Sequence, residues 1–425
     1  MEGVRKHDLI LNELCDSDSL LRVESKKFCL KSMVNSFVIE NGPDSLDVPL
    51  ILMDLAKVVE RFELWKRLMP TVEPWYAVKC NPNPTLIRLL RELGCNFDCA
   101  TPFEIDLVKS LGHPADKIVY AHPTKPVSHL KSAKQSGVKL TVFDNEAELR
   151  KIACVHPEAE LLIRLAPIDD SKAQCPMSIK FGAPPHRVRP LLELAKDLVL
   201  NVIGVHFHVG SGCTDVSAYR GALTEARRVF DLAGECGFSF TLLDIGGGYP
   251  GSEEPGQIQF EAIAEEINTL LPVLFPDTRV IAEPGRFFAM AACALVTKVV
   301  SKADLGNRMR YHLNDGLYGS FNCLLYDHAE LPNPTVVRSV SGESDPAVPC
   351  CIFGPTCDGF DRVAEKCLTL PEMQVGDLII WDKMGAYTSA AATNFNGFAT
   401  PKYLYYATMN SKGLPTLGLA AFENI

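Results

Sequence analysis

Between residues 75 and 284 a short apolar run recurs eight times, and seven helix-like segments follow these runs. The runs are WYAVK (75–79), CNFDC (95–99), KIVYA (117–121), KLTVF (139–143), ELLIRLA (160–166), VIGVHFHV (202–209), FTLLDIG (240–246) and RVIAEP (279–284). Segments such as LIRLLRELG, NEAELRKIACV and FEAIAEEINTLL separate them, with apolar residues three and four apart. LAKVVERFELWKRLM precedes the first run. Thr101-Pro102 and Asp144-Asn145 stand where helices should begin. A short polar side chain there accepts from a free N–H, and proline has no N–H to lose. Strands alternating with helices pack as a parallel sheet, and eight repeats predict a closed (β/α)8 barrel over an open doubly wound sheet.

After residue 290 the texture changes. ACALVTKVVSKA, CCIFG, DLIIWDKMG and YLYYATM are rich in Val, Ile and Tyr and are broken by Gly and Pro. The expected division is an N-terminal segment (1–48), a β/α barrel (49–288) and a C-terminal all-β domain (289–425). KKFCLKSMVNSFV, near residue 30, is expected to join the β domain. PNPTVVRSVSGESDPAVP (332–349) reads as an exposed loop. At 425 residues the chain is too long for one ordinary core, which fits two domains.

The formal net charge of -10 argues against nucleic acid, whose phosphates need clustered Lys and Arg. No run approaches the ~18 apolar residues of a membrane span. The N-terminus has neither the apolar core of a secretory signal nor the acid-poor character of a transit peptide. The fifteen cysteines are scattered, as free thiols in a reducing cytosol would be, so a cytoplasmic location is expected. Cys95 and Cys99 alone have a metal-like gap, but they share one predicted strand with no second pair nearby. No metal site is expected.

Polar residues gather at the ends of the predicted strands. Lys79 ends the first and Asp98 the second. His122 and Asp144 follow the third and fourth. Arg164 lies in the fifth and His208 in the sixth. Gly246-Gly247-Gly248 ends the seventh, and Glu283-Pro284-Gly285-Arg286 the eighth. A β/α barrel builds its active site at this end of its strands. A lysine there, in an apolar frame, is an amine nucleophile whose natural electrophile is a carbonyl, and pyridoxal phosphate is a common cofactor of that kind. DIGGGYPG (244–251) leaves backbone N–H groups available to a phosphate. It also matches the dinucleotide pattern, but Pro250 and the SEEPG that follows block the helix that pattern requires. Glu283 suits a pyridinium nitrogen and Arg286 a phosphate.

In order along the chain, YAVKCN (76–81), FDCA (97–100), DDSKAQCPMSIKFGA (169–183), HFHVGSG (206–212), DIGGGYPG and EPGRF resemble the β/α-barrel pyridoxal-phosphate decarboxylases of fold type III. NDGLYGSFNCLLYDHA (314–329), FGPTCDGFD (353–361) and MGAYT (384–388) extend the resemblance, which is strongest toward the eukaryotic ornithine decarboxylases. It implies that Lys79 is the Schiff-base lysine, that His208 stacks on the cofactor ring and that Glu283 contacts the ring nitrogen. Ser211, Gly246, Gly247, Gly248, Gly285, Arg286 and Tyr387 would bind the phosphate. Asp98, Glu104 and Arg164 would support Lys79 and the ring. The resemblance further implies a homodimer with active sites at the subunit interface, where Cys357 and Asp358 enter from the partner chain. Cys357 would guide protonation of the α-carbon. Tyr326, Asp327 and Asp358 would meet a diamino-acid substrate. The implied reaction turns L-ornithine into putrescine and CO2, the first step of polyamine synthesis.

Two alternatives stand beside it. A dual lysine/ornithine decarboxylase is disfavoured by His328, a position that relatives accepting lysine fill with an aromatic. A catalytically dead, antizyme-inhibitor-like binding protein is disfavoured because Lys79, Glu283, Arg286, Cys357 and Tyr387 are all present. Antizyme remains a candidate partner by the same resemblance.

Overall fold

The computed structural model describes residues 21–25, 29–166, 173–175, 180–253, 258–338 and 346–409. Contacts divide the chain into two compact units, Arg61–Phe288 and a second made of Met1–Glu60 with Ala289–Ile425.

The first unit holds a closed parallel barrel. Its strands are β1 (Val72–Ala77), β2 (Asn96–Cys99), β3 (Ile118–Tyr120), β4 (Leu140–Phe143), β5 (Glu160–Arg164), β6 (Asn201–His206), β7 (Leu242–Asp244) and β8 (Arg279–Ala282). They neighbour one another in sequence order, and β8 closes on β1 with Val280 opposite Val72 and Ala282 opposite Pro74. All eight predicted runs are therefore barrel strands. Trp75, Val119, Val142, Leu162, Leu242 and Ile281 pack into one buried cluster, so the barrel is filled rather than open. The start signals act as read: Thr101 accepts from Glu104 N–H, with Pro102 in the first turn, and Asn145 accepts from Glu148 N–H. β1 begins and ends earlier than the run WYAVK, and Val78–Cys80 form a short 3-10 turn. Lys79 thus sits on a turn just past the strand.

In the second unit, sheet order runs Leu21–Ser25, Lys402–Met409, Leu50–Asp54, Cys293–Asp304, Met309–Leu313, Ala347–Phe353, Arg362–Pro371. Leu378–Trp381 pairs with both Cys293–Asp304 and Pro334–Val337. The helix Leu30–Asn41 lays Met33, Val34 and Phe37 against Leu50, Leu52, Val296, Ile380 and Leu404.

Two expectations change. The barrel unit starts at Arg61 instead of residue 49, because Leu50–Asp54 pairs antiparallel with Cys293–Asp304 and parallel with Lys402–Met409. The segment from Leu30 joins the β unit as expected, and does so as a helix. Within 332–349, Pro334–Val337 is a strand, since its carbonyls and amides find Leu378–Trp381; residues 339–345 lie outside the described residues. Much of DDSKAQCPMSIKFGA also lies outside them, although Ala173–Cys175 pairs with Ser211–Cys213. No helix among the described residues is long and apolar enough to cross a membrane.

Candidate active site

The C-terminal ends of the barrel strands carry a buried network of charges. Lys79 is paired with Asp98, its side chain about a third exposed and the carboxylate fully buried. The expected apolar frame around the amine is therefore replaced by an ion pair. Burial and then the Glu283 charge push the Asp98 carboxyl up, to about 7, against the pull of Lys79. Glu104 accepts from Ala100 N–H at 2.5 Å, which fixes the turn between β2 and its helix; burial raises its carboxyl. Arg164, at the end of β5, is buried with its guanidinium 5.1 Å from the Phe181 ring centre.

His208 lies two residues past β6. Its Nδ1 accepts from Gly210 N–H at 2.9 Å, which locks the ring plane. Burial, then the Arg164 charge, drive it down to about 3, so the imidazole is neutral. Glu283 follows β8. Its Oε2 lies 3.1 Å from His206 Nε2, and its Oε1 is buried with no hydrogen-bond partner. Burial alone would raise this carboxyl, but the His206 contact and the Lys79 charge outweigh it and hold it below the usual carboxylate range. Asp244 is driven well above the carboxylate range by burial and by the Glu283 charge.

Separate motifs meet beside this network. Arg286 Nη2 donates to Ser211 Oγ at 3.0 Å. Glu283 N–H donates to Gly246 O (2.7 Å), and Cys213 N–H to Gly248 O (3.1 Å). Gly246 and Gly248 have φ of 59° and 111°, which a side chain rarely adopts. A Cβ on Gly247 would come within 2.9 Å of His208 Nε2. This glycine turn brings backbone against the His208 ring, where a side chain would fill the space. Gly285 leads into the short helix Arg286–Ala289.

The remaining candidates lie in the other unit. Cys357 is exposed, and its N–H donates to Asn396 Oδ1 at 3.1 Å. Asp358 accepts from the Tyr318 hydroxyl (2.5 Å) and from Phe360 N–H (3.0 Å). Asp361 ties this loop down, accepting from Leu317 N–H, Thr356 N–H and Thr356 Oγ1. Tyr326 is largely exposed and Asp327 buried, while Tyr387 has a positive φ of 54°. His122 and Asp144, though at strand ends, serve their loops. His122 Nδ1 accepts from Thr124 N–H, and Asp144 Oδ2 from Gly182 N–H.

Three residues escaped the sequence reading. His206 ends β6 and stands two positions before His208 in one run, a spacing that a continuous strand would put on one face. Asp244 heads the glycine motif. Arg61 gave no signal. Its guanidinium reaches Phe287 O (3.0 Å), Pro250 O (2.9 Å) and Glu253 (2.8 Å), partners some 190 to 226 positions away.

Residues 55–290 match the family model described as pyridoxal-dependent decarboxylase, pyridoxal binding domain. The chain is 46% identical to the ornithine decarboxylase of Mus musculus over 369 residues, 83% of this chain and 79% of that one. It is equally 46% identical to antizyme inhibitor 2 of Xenopus laevis over 360 residues, 81% and 78% of the two chains. Among solved structures, the arginine decarboxylase of Paramecium bursaria Chlorella virus superposes with a TM-score of 0.82 at 34% identity. That match covers 89% of this chain and all of the other. The site's own donors fit the cofactor: an unpartnered buried carboxylate oxygen for a ring N–H, a neutral flat imidazole, and a glycine turn beside an Arg–Ser pair for a phosphate. The chain belongs to the pyridoxal-dependent decarboxylases, enzymes that use pyridoxal phosphate to remove CO2 from amino acids.

Proposed function

We propose that the substrate is L-ornithine and the products putrescine and CO2. We propose further that the enzyme works as a homodimer in which Cys357 and Asp358 of one protomer complete the barrel site of the other. The observation that carries the substrate reading is Asp358. Two donors fix its carboxylate, and the Tyr318 bond above all holds its pKa below the usual range. A fixed anion next to Cys357 suits a distal ammonium at one set distance from the α-amine.

When bound, pyridoxal phosphate supplies an electron-poor ring that takes up the electron pair left as CO2 departs. The chain's residues do the rest. Lys79 would hold the cofactor, and Asp98, paired with it, would hold a proton beside its Nζ. His208 would cover the ring with a neutral face. Glu283 Oε1 would accept from the ring nitrogen, and Arg286, Ser211, Gly285, Tyr387 and the Gly246–Gly248 turn would take the phosphate. Glu104 and Arg164 steady the turn and the charge around Lys79. Cys357 delivers the proton to the α-carbon, and Tyr326 and Asp327 border the substrate. The likeness to an antizyme inhibitor supports antizyme as a partner in addition to turnover, because the catalytic set stands intact.

The test is kcat/KM for L-ornithine, L-lysine and L-arginine on one preparation. Lysine adds one methylene, which in an apolar pocket discriminates by roughly 10- to 200-fold. Here the extra length also displaces an ammonium from a carboxylate, so a preference on the order of a hundredfold is expected. Asp358→Ala should weaken ornithine binding more than binding of uncharged norvaline. Equal values for lysine and ornithine would replace this reading with a dual-specificity enzyme.

A further inference from the structure

Glu283 is held by an arrangement that the roles above leave unexplained. Its Oε1 is reserved, but its Oε2 is bonded to His206 Nε2, a fully buried ring at the end of β6. Burial pushes the His206 imidazolium down, so the ring is the neutral form. The contact with a carboxylate then assigns its single proton to Nε2, and Nδ1 has no partner. Asp244 approaches from the end of β7, and donor atoms of His206, Asp244 and Glu283 all lie within 4.8 Å of one another. Asp244 Oδ1 accepts from Gly246 N–H at 2.9 Å, so the same carboxyl that crowds Glu283 also shapes the glycine turn. Lys79, Arg164, Asp98 and the neutral His208 are the other titratable groups facing Glu283.

A carboxylate facing a pyridine nitrogen shares one proton with it, and the stronger base keeps that proton. Hydrogen bonds donated to the carboxylate stabilise its anion and make it the weaker base. We propose that His206 is a positioning residue for Glu283: its Nε2–H, bonded to Oε2, keeps the carboxylate anionic so that the shared proton rests on the cofactor's ring nitrogen. His206 touches neither substrate nor cofactor in this role and acts wholly through Glu283. The proposal rests on the reading that Glu283 meets the ring nitrogen. Without His206 the proton moves toward Glu283, and the ring loses the positive charge that makes it an electron sink.

The experiment loads the full-length protein with pyridoxal phosphate labelled with 15N in the ring and reads the nitrogen's chemical shift from pH 6 to 9. In the native holoenzyme the shift is that of a protonated nitrogen throughout. In His206→Leu it moves to the unprotonated range within that window, and kcat falls on the order of tenfold, the effect of about one pKa unit. KM and cofactor affinity change little. His206→Gln, whose amide reaches Oε2 as a donor, returns the shift and kcat toward native values. If His206→Leu gives no folded holoenzyme, Gln is compared with the shorter Asn. A protonated nitrogen with Gln and an unprotonated one with Asn supports the proposal, and equal shifts overturn it. An unprotonated nitrogen in the native protein would instead remove the Glu283 assignment itself. A protonated native nitrogen that His206→Leu leaves unchanged would overturn the role of His206 alone.

Discussion

Arg61→Met separates packing from hydrogen bonding behind the phosphate-binding loops. The guanidinium is almost fully buried and bridges Pro250 O in the glycine loop to Phe287 O just after Arg286, while lying 3.8 Å from the Phe287 ring centre. Methionine keeps much of the apolar volume but leaves both carbonyls without their donor. Each orphaned buried acceptor costs about 1–2 kcal/mol. The Glu253 pair adds under ~1 kcal/mol, since that carboxylate is about a third exposed. The expected loss is about 2–5 kcal/mol, falling on the two loops that hold the phosphate. Spread between global stability and loop order, it should raise the cofactor's Kd by roughly ten- to a hundredfold, at 1.4 kcal/mol per decade. Pyridoxal phosphate titration and urea unfolding of the apo and loaded protein measure both parts. Arg227→Met is the matched control. Arg227 likewise bonds a backbone carbonyl, Leu274 O, and lies over aromatic rings, but it sits on the outer helix Val216–Glu235. A cofactor Kd unchanged in Arg61→Met, or raised equally in Arg227→Met, would refute the argument that Arg61 sets the loops.

Three further outcomes are expected. Lys79→Ala abolishes turnover and the lysine-linked cofactor recovered after borohydride reduction, and undiminished trapping at another lysine would displace Lys79 from its role. Lys79→Ala and Cys357→Ala chains, each inactive, should regain about a quarter of native activity when mixed and allowed to exchange, since half the random dimers then carry one intact site of two; no recovery despite proven exchange would mean each site is built within one chain. Burial raises the Asp54 carboxyl to about 6. The folded state therefore binds that proton more tightly than the unfolded state, and the stability it adds at low pH is lost as pH rises from about 4 through 6. Asp54→Asn should flatten that slope by about 2–3 kcal/mol in urea unfolding across this window, and an unaltered slope would count against a buried, protonated Asp54.

Most of the barrel site was legible because strand ends in a β/α repeat can be read off the local pattern. Lys79, Asp98, His208 and Glu283 each sit within a few residues of a run whose period is plain. The unread features share long sequence separation. Arg61 looks like one more surface cation on an amphipathic helix until Pro250 and Phe287 fold over it. Leu50–Asp54 falls inside the expected barrel bounds of 49–288 because nothing local reveals a partner some 350 positions later, at Lys402–Met409. Asp98 could be named as a polar residue at a strand end, whereas Asp244 stood unremarked at the head of the glycine motif. Their raised proton affinity comes from burial beside the Glu283 carboxylate, which only the closed barrel creates.

The sheet order of the second unit sets a timetable for synthesis. Leu50–Asp54 leaves the ribosome early but is flanked in the sheet by Cys293–Asp304 and Lys402–Met409. The barrel has every strand it needs once Ala282 emerges. At about 5–20 residues per second, on the order of ten seconds separate that moment from the arrival of Lys402–Met409. During this interval Leu50–Asp54, an almost wholly buried apolar strand, is present with at most one of its two neighbours. An unpaired apolar strand is a template for other nascent chains. A cell making this enzyme in bulk should therefore lose most material to aggregation from chains that stop short of residue 402. Slowing translation after residue 304 should lower the yield more than slowing it within the barrel.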